Sequence, residues 1–236
     1  MKTPPSRIII VTFCRPPVSI LQAGTVIPEQ GFEMEDKREF SPSFERNIEP
    51  ISQILTDTLP KESGHVLEIG SGSGQHVTHL AQKFPRHSFQ PSEHPVSSLA
   101  SIDAWREHYQ LSNVQPAVHL DVTKNKWGFS QNRYAAILAF NVIHYAPWAV
   151  TPALFMNALP FLRPGGKVVL YGPYRKDGVH TAPSNATFEE WLKSKDLEFG
   201  VRDIGEVEEV AEKAGYRLEA LHNMPANNFM PVFVRL

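Results

Sequence analysis

Five short runs, HVLEI (65–69), HSFQP (87–91), PAVHL (116–120), YAAILAF (134–140) and KVVLY (167–171), alternate with stretches of helical period such as QHVTHLAQKF and VSSLASIDAWREHY. That alternation constrains the fold more than anything else in the chain. Apolar, β-branched or aromatic runs of this length read as buried strands, and a helix between successive strands returns the chain for parallel pairing. The expected architecture is α/β: a mostly parallel, twisted sheet with helices on both faces and ligands beyond the carboxyl ends of the strands. GEVEEVAEKAG (205–215) reads as a last helix closed by Gly215. YRLEALH and FMPVFVRL then suit a hairpin that adds an antiparallel C-terminal strand.

With 236 residues and 42% hydrophobic content, the chain can bury one core. Residues 1–36 differ from the rest, because Pro4, Pro5, Pro16, Pro17 and Pro28 interrupt any helix and RIIIVTF is too short for a membrane span. We expect an extended or disordered N-terminal tail over 1–36 and one domain over 37–236. The tail's Lys2, Arg7 and Arg15 faintly resemble a targeting peptide, but the prolines oppose the amphipathic helix such peptides use. A net charge of -2 with scattered cations gives no pull toward nucleic acid or an anionic membrane. The expected partner is a small molecule. Cys14 is the single cysteine, which excludes an intramolecular disulfide and fits a reducing, cytoplasmic setting.

The loop after the first strand, in HVLEIGSGSGQH (65–76), narrows the ligand. A phosphate-binding P-loop needs a lysine, and none stands between Gly70 and Gln82. The dinucleotide fingerprint needs a third small residue where Gln75 stands. What remains is E-x-G-x-G-x-G, in which Gly70, Gly72 and Gly74 let the backbone turn under a ligand and Glu68 supplies a negative charge. Such a charge repels pyrophosphate and suits a ligand bearing an ammonium and a sulfonium.

This loop resembles motif I of class I S-adenosylmethionine-dependent methyltransferases. Glu93, 23 residues beyond Gly70, matches the acid that binds ribose in such enzymes, and Asp121 with Val122 matches the pair that meets adenine. The resemblance implies a Rossmann-like fold, S-adenosylmethionine as cofactor, and contacts from Ser71, His76 and Asn141. SPSFERNIEPI (41–51), QPSEH (90–94), HLDVT (119–123), YGPY (171–174), RD (202–203) and MPANN (224–228) further resemble blocks of the methyltransferase-like twenty-six family. That family is read as methyltransferases of bacteria and eukaryotes, with the substrate open. The match covers Ser41 to Leu236, with Glu93 in place of the usual Asp. It adds Arg46, over the cofactor carboxylate, and Asn47 to the cofactor-binding set.

For the acceptor, methyl transfer needs a nucleophile held in line and at most a modest base. Asn141-Val142-Ile143-His144 is not the Asn/Asp-Pro-Pro-Tyr/Phe motif of nucleic-acid amino-methyltransferases, and Cys14 lies in the tail, away from any cytosine C5 chemistry. His144 and Tyr145, just past a strand end, are the candidate catalytic residues. His144 could equally order its loop through backbone hydrogen bonds. Tyr171, Tyr174 and Asn227 are candidate substrate-lining residues, with packing and turn formation as their alternatives. Pro50 places a helix start near 47–50, with Asn47 as N-cap. His76 and His79 share a helix face without a third ligand, so no metal is expected. The expected activity is a small-molecule methyltransferase with O- or N-acceptor open; a catalytically silent cofactor-binding partner and a nicotinamide oxidoreductase are the alternatives.

Overall fold

Strand β1 (His65–Ile69) lies between β2 (Ser88–Glu93) and β4 (Tyr134–Phe140), parallel to both. The computed structural model describes residues 36–236. The expected N-terminal tail therefore lies outside the described residues, apart from Asp36. β3 (Val118–His119) pairs with β2, β5 (Leu162–Lys176) with β4, and the C-terminal hairpin β8 (Tyr216–Met224) and β9 (Asn228–Arg235) joins the far side of β5 antiparallel. The order is β3-β2-β1-β4-β5-β9-β8. Two short strands, β6 (Val179–His180) and β7 (Arg202–Asp203), extend the end of β5. The sheet is thus mostly parallel with an antiparallel C-terminal strand, as the sequence pattern predicts.

Side chains alternate across the strands, and each face has its own core. Val66, Ala136, Leu138 and Val169 pack with Ile51 and Leu55 of α1 (Pro42–Thr58) and with Val77 and Leu80 of α2 (Gln75–Lys83). Ile102 of α3 (Ala100–His108) joins them. On the other face, Leu67, Ile137, Val168 and Leu170 meet Leu154 and Phe155 of α4 (Val150–Ala158). α5 (Pro183–Lys195) follows, and Val207 and Ala211 of α6 (Ile204–Lys213) complete that layer. Every residue of β4 is buried, because helices cover both of its faces.

Several boundaries differ from the sequence expectation: β2 runs on to Glu93, β5 spans Leu162–Lys176, and α1 and β3 differ as well. α1 begins at Pro42 behind the N-cap Ser41, with Pro50 inside the helix. Proline is favoured at the first helical position, and Pro42 rather than Pro50 takes that role. Asn47 is therefore not an N-cap but sits mid-helix. β3 shrinks to two residues: Pro116 offers no N–H to the ladder, and the Ala117 N–H donates to Asp103 Oδ1 at 3.1 Å instead. α6 ends as expected: its N-cap Asp203 accepts the Gly205 N–H, and Gly215 follows the helix with φ +91°. Among the described residues no helix is long and apolar enough to cross a membrane.

Candidate functional site

The chain runs from β1 to β2 and β3 on one side and to β4 and β5 on the other, so the strand order reverses between β1 and β4. Loops leaving their carboxyl ends diverge there and leave a crevice. The glycine loop floors it. Gly70 and Gly72 hold φ +67° and +53°, where side chains other than glycine are strained. A methyl group on Gly70 would lie 2.6 Å from Val142 Cγ2, whereas one on Gly72 would meet no protein atom within 4 Å. Packing demands the first glycine; the second faces open space. Gly74, also left-handed, forms the N-cap of α2.

The end of β2 holds this loop in place. Glu93 Oε2 accepts the Gly72 N–H at 2.7 Å, and its Oε1 accepts the His94 N–H at 2.8 Å. Ser71 N–H donates to the Ser92 carbonyl at 2.9 Å, while the buried Ser92 hydroxyl donates to the Glu68 carbonyl at 2.7 Å. At the end of β3, Asp121 Oδ1 accepts from the Thr123 N–H and hydroxyl at 2.9 and 2.6 Å. Those bonds hold its carboxyl below the usual range, so it is ionised at neutral pH.

Two cavities meet over the loop. The first, of about 450 Å³, is rimmed by Glu93 and Asp121 and walled by Leu120, Val122 and Phe140. The second, of about 580 Å³, is lined by Arg46, Asn47, Ser71, His76 and Asn227. Gly70, Gly72, Phe140, Asn141 and Tyr145 belong to both. Asn141 ends β4 with φ +60° and donates its N–H to the Tyr171 carbonyl at 2.7 Å. That turn aims the following segment along the crevice.

Most of the residues named from sequence converge here, but Glu68, Gly74, His144, Tyr171 and Tyr174 line neither cavity. Glu68 lies beneath the loop, buried, with Oε2 unpartnered and on the wall of neither cavity. Burial pushes its carboxyl up to about 8, against a smaller opposing contribution from Ser71, so at neutral pH it is a neutral acid rather than a charge facing ligand. His144 is fully buried with both ring nitrogens unpartnered, and it lines neither cavity. It packs against Tyr174 and against Gly172, where an added Cβ would lie 2.3 Å from Nε2. Burial lowers its imidazole to about 3, so at neutral pH it is uncharged and a weak base, and with neither ring nitrogen bonded it orders its loop by packing rather than through the hydrogen bonds expected of it. Tyr174 is equally buried beneath it and lines no cavity. Tyr171 is also buried, yet its hydroxyl supports the second cavity from behind: it donates to Asn47 Oδ1 and accepts from Asn228 Nδ2, both at 3.0 Å.

His76 is a wall residue of the second cavity. Its ring packs between Phe44 and Phe140, its Nε2 is buried without a partner, and burial lowers its imidazole to about 4. Asn227 and Ala226 are consecutive left-handed residues at φ +58° and +56°. Each costs about 1–2 kcal/mol relative to the right-handed form. Asn185 Nδ2 pins the turn by donating to the Asn227 carbonyl at 3.1 Å. Asn227 therefore forms a turn and also stands on the wall of the second cavity.

Sequence reasoning did not find Phe188 of α5, which packs on Tyr145 and lines the second cavity. No local pattern marks it, since α5 reaches the crevice only through the fold. It also left the role of Arg202 open. Arg202 donates from Nε to the Ile143 carbonyl at 3.0 Å and from Nη2 to the Ala146 and Glu198 carbonyls. One guanidinium thus straps the segment that carries Tyr145. Among the described residues no three His, Cys, Asp or Glu side chains converge as metal ligands would.

Residues 38–235 match the family described as "Protein of unknown function (DUF938)". The chain belongs to that family. Among solved structures, this DUF938 chain is similar to an O-methyltransferase family protein from Burkholderia thailandensis, with a TM-score of 0.68 at 13% identity over 79% of this chain and 55% of that one. It is similar to the pyocyanin biosynthetic protein PhzM, with a TM-score of 0.64 at 17% identity over 80% and 55%. It is also similar to geranyl diphosphate C-methyltransferase from Streptomyces coelicolor, solved with Mg2+, geranyl-S-thiolodiphosphate and S-adenosyl-L-homocysteine, with a TM-score of 0.62 at 11% identity over 79% and 75%. The DUF938 chain spans just over half the length of the first two. At these identities the likeness establishes the fold, a Rossmann-like methyltransferase fold.

Proposed function

We propose that this chain is an S-adenosylmethionine-dependent methyltransferase acting on a small molecule, and that it belongs with the methyltransferase-like twenty-six group its sequence blocks resemble. The observation that carries the reading is the pair of cavities meeting over a glycine loop, one with two carboxylates and the other without any. The first fits an adenosyl group. Asp121 and Glu93 offer carboxylate acceptors to amino and hydroxyl donors, Val122 and Phe140 offer apolar walls for a flat base, and no lysine or arginine lines the cavity, the exposed Lys124 reaching only Asp121 at 3.9 Å. The space a Gly72 side chain would fill is where backbone and ligand approach most closely.

Bound S-adenosylmethionine would supply an electrophilic methyl group on a positively charged sulfur. The chain's own residues bind and orient. Glu93 holds the loop and the ribose side together, since each of its oxygens keeps a lone pair after accepting one backbone N–H. Asn141 and Tyr145, shared by both cavities, sit where an acceptor would meet the methyl group. Phe140 and Phe188 exclude water from that junction.

The test is calorimetric titration with S-adenosylhomocysteine and, separately, with NAD. We expect binding of the first alone. At a hundredfold excess over its dissociation constant it should stabilise the chain by about 2.7 kcal/mol. Binding of NAD alone would replace this reading with an oxidoreductase.

A further inference from the structure

The resemblance places Arg46 over the cofactor carboxylate, but Arg46 lines the second cavity and not the one that holds Glu93 and Asp121, which leaves it available to an acceptor. Among the described residues the wall of the second cavity holds no Asp or Glu, and Arg46 is its only permanently charged side chain. Around Arg46 stand neutral hydrogen-bonding groups, including Ser43, Asn47, Ser184 and Asn227. An ammonium acceptor would stand opposite a cation with no counter-charge, whereas an anion would meet a planar, two-pronged donor at the exposed rim of the cavity.

A base is missing as well. A neutral alcohol or a protonated amine must shed a proton when it takes a methyl group, so one nearby group must receive it. His76 is the wall's one imidazole, and burial lowers it to about 4, leaving it a hydrogen-bonding group rather than a proton sink at neutral pH. Tyr145 is pushed upward by burial, which makes its phenolate less accessible still. His144 is sealed behind Gly172. An acceptor that is already ionised in water needs none of them.

We propose that the methyl acceptor is a small polar carboxylic acid, bound as its carboxylate against Arg46, and that the product is its methyl ester. This rests on the methyltransferase reading above. A carboxylate oxygen lone pair forms the bond to the methyl carbon as the carbon–sulfur bond breaks, with its electron pair remaining on sulfur. One negative and one positive charge disappear together, and no proton moves. The side chain of Asn227, on the same wall, hydrogen-bonds the rest of the acid.

The experiment incubates the full chain with methyl-tritiated S-adenosylmethionine and a deproteinised small-molecule extract of the source cells, then treats the product with mild alkali. A methyl ester releases its label as volatile methanol, whereas ethers and methylamines retain it. We expect alkali-released label, at least tenfold less of it from Arg46→Gln at limiting extract, and a dissociation constant for S-adenosylhomocysteine in that variant within threefold of the parent. Alkali-stable label, or no label from a chain that binds S-adenosylhomocysteine, overturns the carboxylate assignment and leaves cofactor binding standing. If Arg46→Gln weakens S-adenosylhomocysteine as much as it lowers labelling, Arg46 holds the cofactor carboxylate and the acceptor assignment is overturned. A parent chain that fails to bind S-adenosylhomocysteine removes the methyltransferase reading itself.

Discussion

The Tyr171 hydroxyl donates to Asn47 Oδ1 at 3.0 Å across 124 residues of sequence. The same oxygen accepts from Asn228, so one buried phenol ties α1, β5 and the start of β9 together behind the second cavity. Tyr171→Phe keeps the ring but leaves Asn47 and Asn228 short of a partner. We expect a loss of about 1–2 kcal/mol of stability in urea denaturation. A variant as stable as the parent would show that water replaces the hydroxyl at no cost.

Gly72→Val separates fold from ligand. A Cβ there would meet no protein atom within 4 Å, so the main cost to folding is the left-handed backbone, about 1–2 kcal/mol. The side chain would instead project into the crevice. A folded variant that no longer binds S-adenosylhomocysteine is the expected result, and unchanged affinity would place the ligand elsewhere.

Arg202→Lys tests the strap. Lysine offers a point charge where the guanidinium reaches the Ile143, Ala146 and Glu198 carbonyls in one plane. We expect a loss of about 2 kcal/mol and faster amide hydrogen exchange through residues 142–146. Exchange that is unchanged there would assign the ordering of the segment to its packing instead.

Glu68 makes the stability of the chain fall between mildly acidic and neutral pH. Its folded carboxyl titrates at about 8, above the ordinary value of 4.5, because burial disfavours the anion. The folded state therefore binds more protons than the unfolded one between those values, and stability falls as pH rises through that window. Glu68→Gln removes this contribution. The variant should gain on the parent steadily from pH 5 to pH 8 in paired denaturation curves, and parallel curves would mean the carboxyl is hydrated.

The crevice was legible where its chemistry is local. Three glycines in one loop, an acid at the end of β2 and another at the end of β3 are neighbours of strand ends that the apolar runs already mark. β1 and β4 occupy the runs 65–69 and 134–140 without shift. The start of α1 was not legible, because Pro42 and Pro50 are both compatible with a first turn, and only the packing of Ile48, Ile51 and Leu55 on the sheet selects the longer helix. α4 was blurred for another reason: VTPALFMNA is apolar around most of its circumference, so no clear period of 3.6 stands out.

Sequence by itself determined the alternating strands and helices, the parallel sheet with its antiparallel end, and the glycine loop with acids at two further strand ends. Those features depend on residues close together in the chain, whose periodicity and backbone freedom act without reference to distant segments. Tertiary structure alone decided which of the candidates meet a ligand. His144 follows a strand end and Tyr174 follows the apolar run 167–171, yet Gly172 lets the imidazole pack inward, and Arg202 closes the loop over it. Glu68 has the motif position of a charged group, yet burial under the loop leaves it protonated. The acid-free second cavity draws its walls from residues near 41–47, 70–76, 140–145, 184–188 and 226–228. Solvent exposure and protonation are set by what packs around a group, and for these residues the surroundings come from the whole chain.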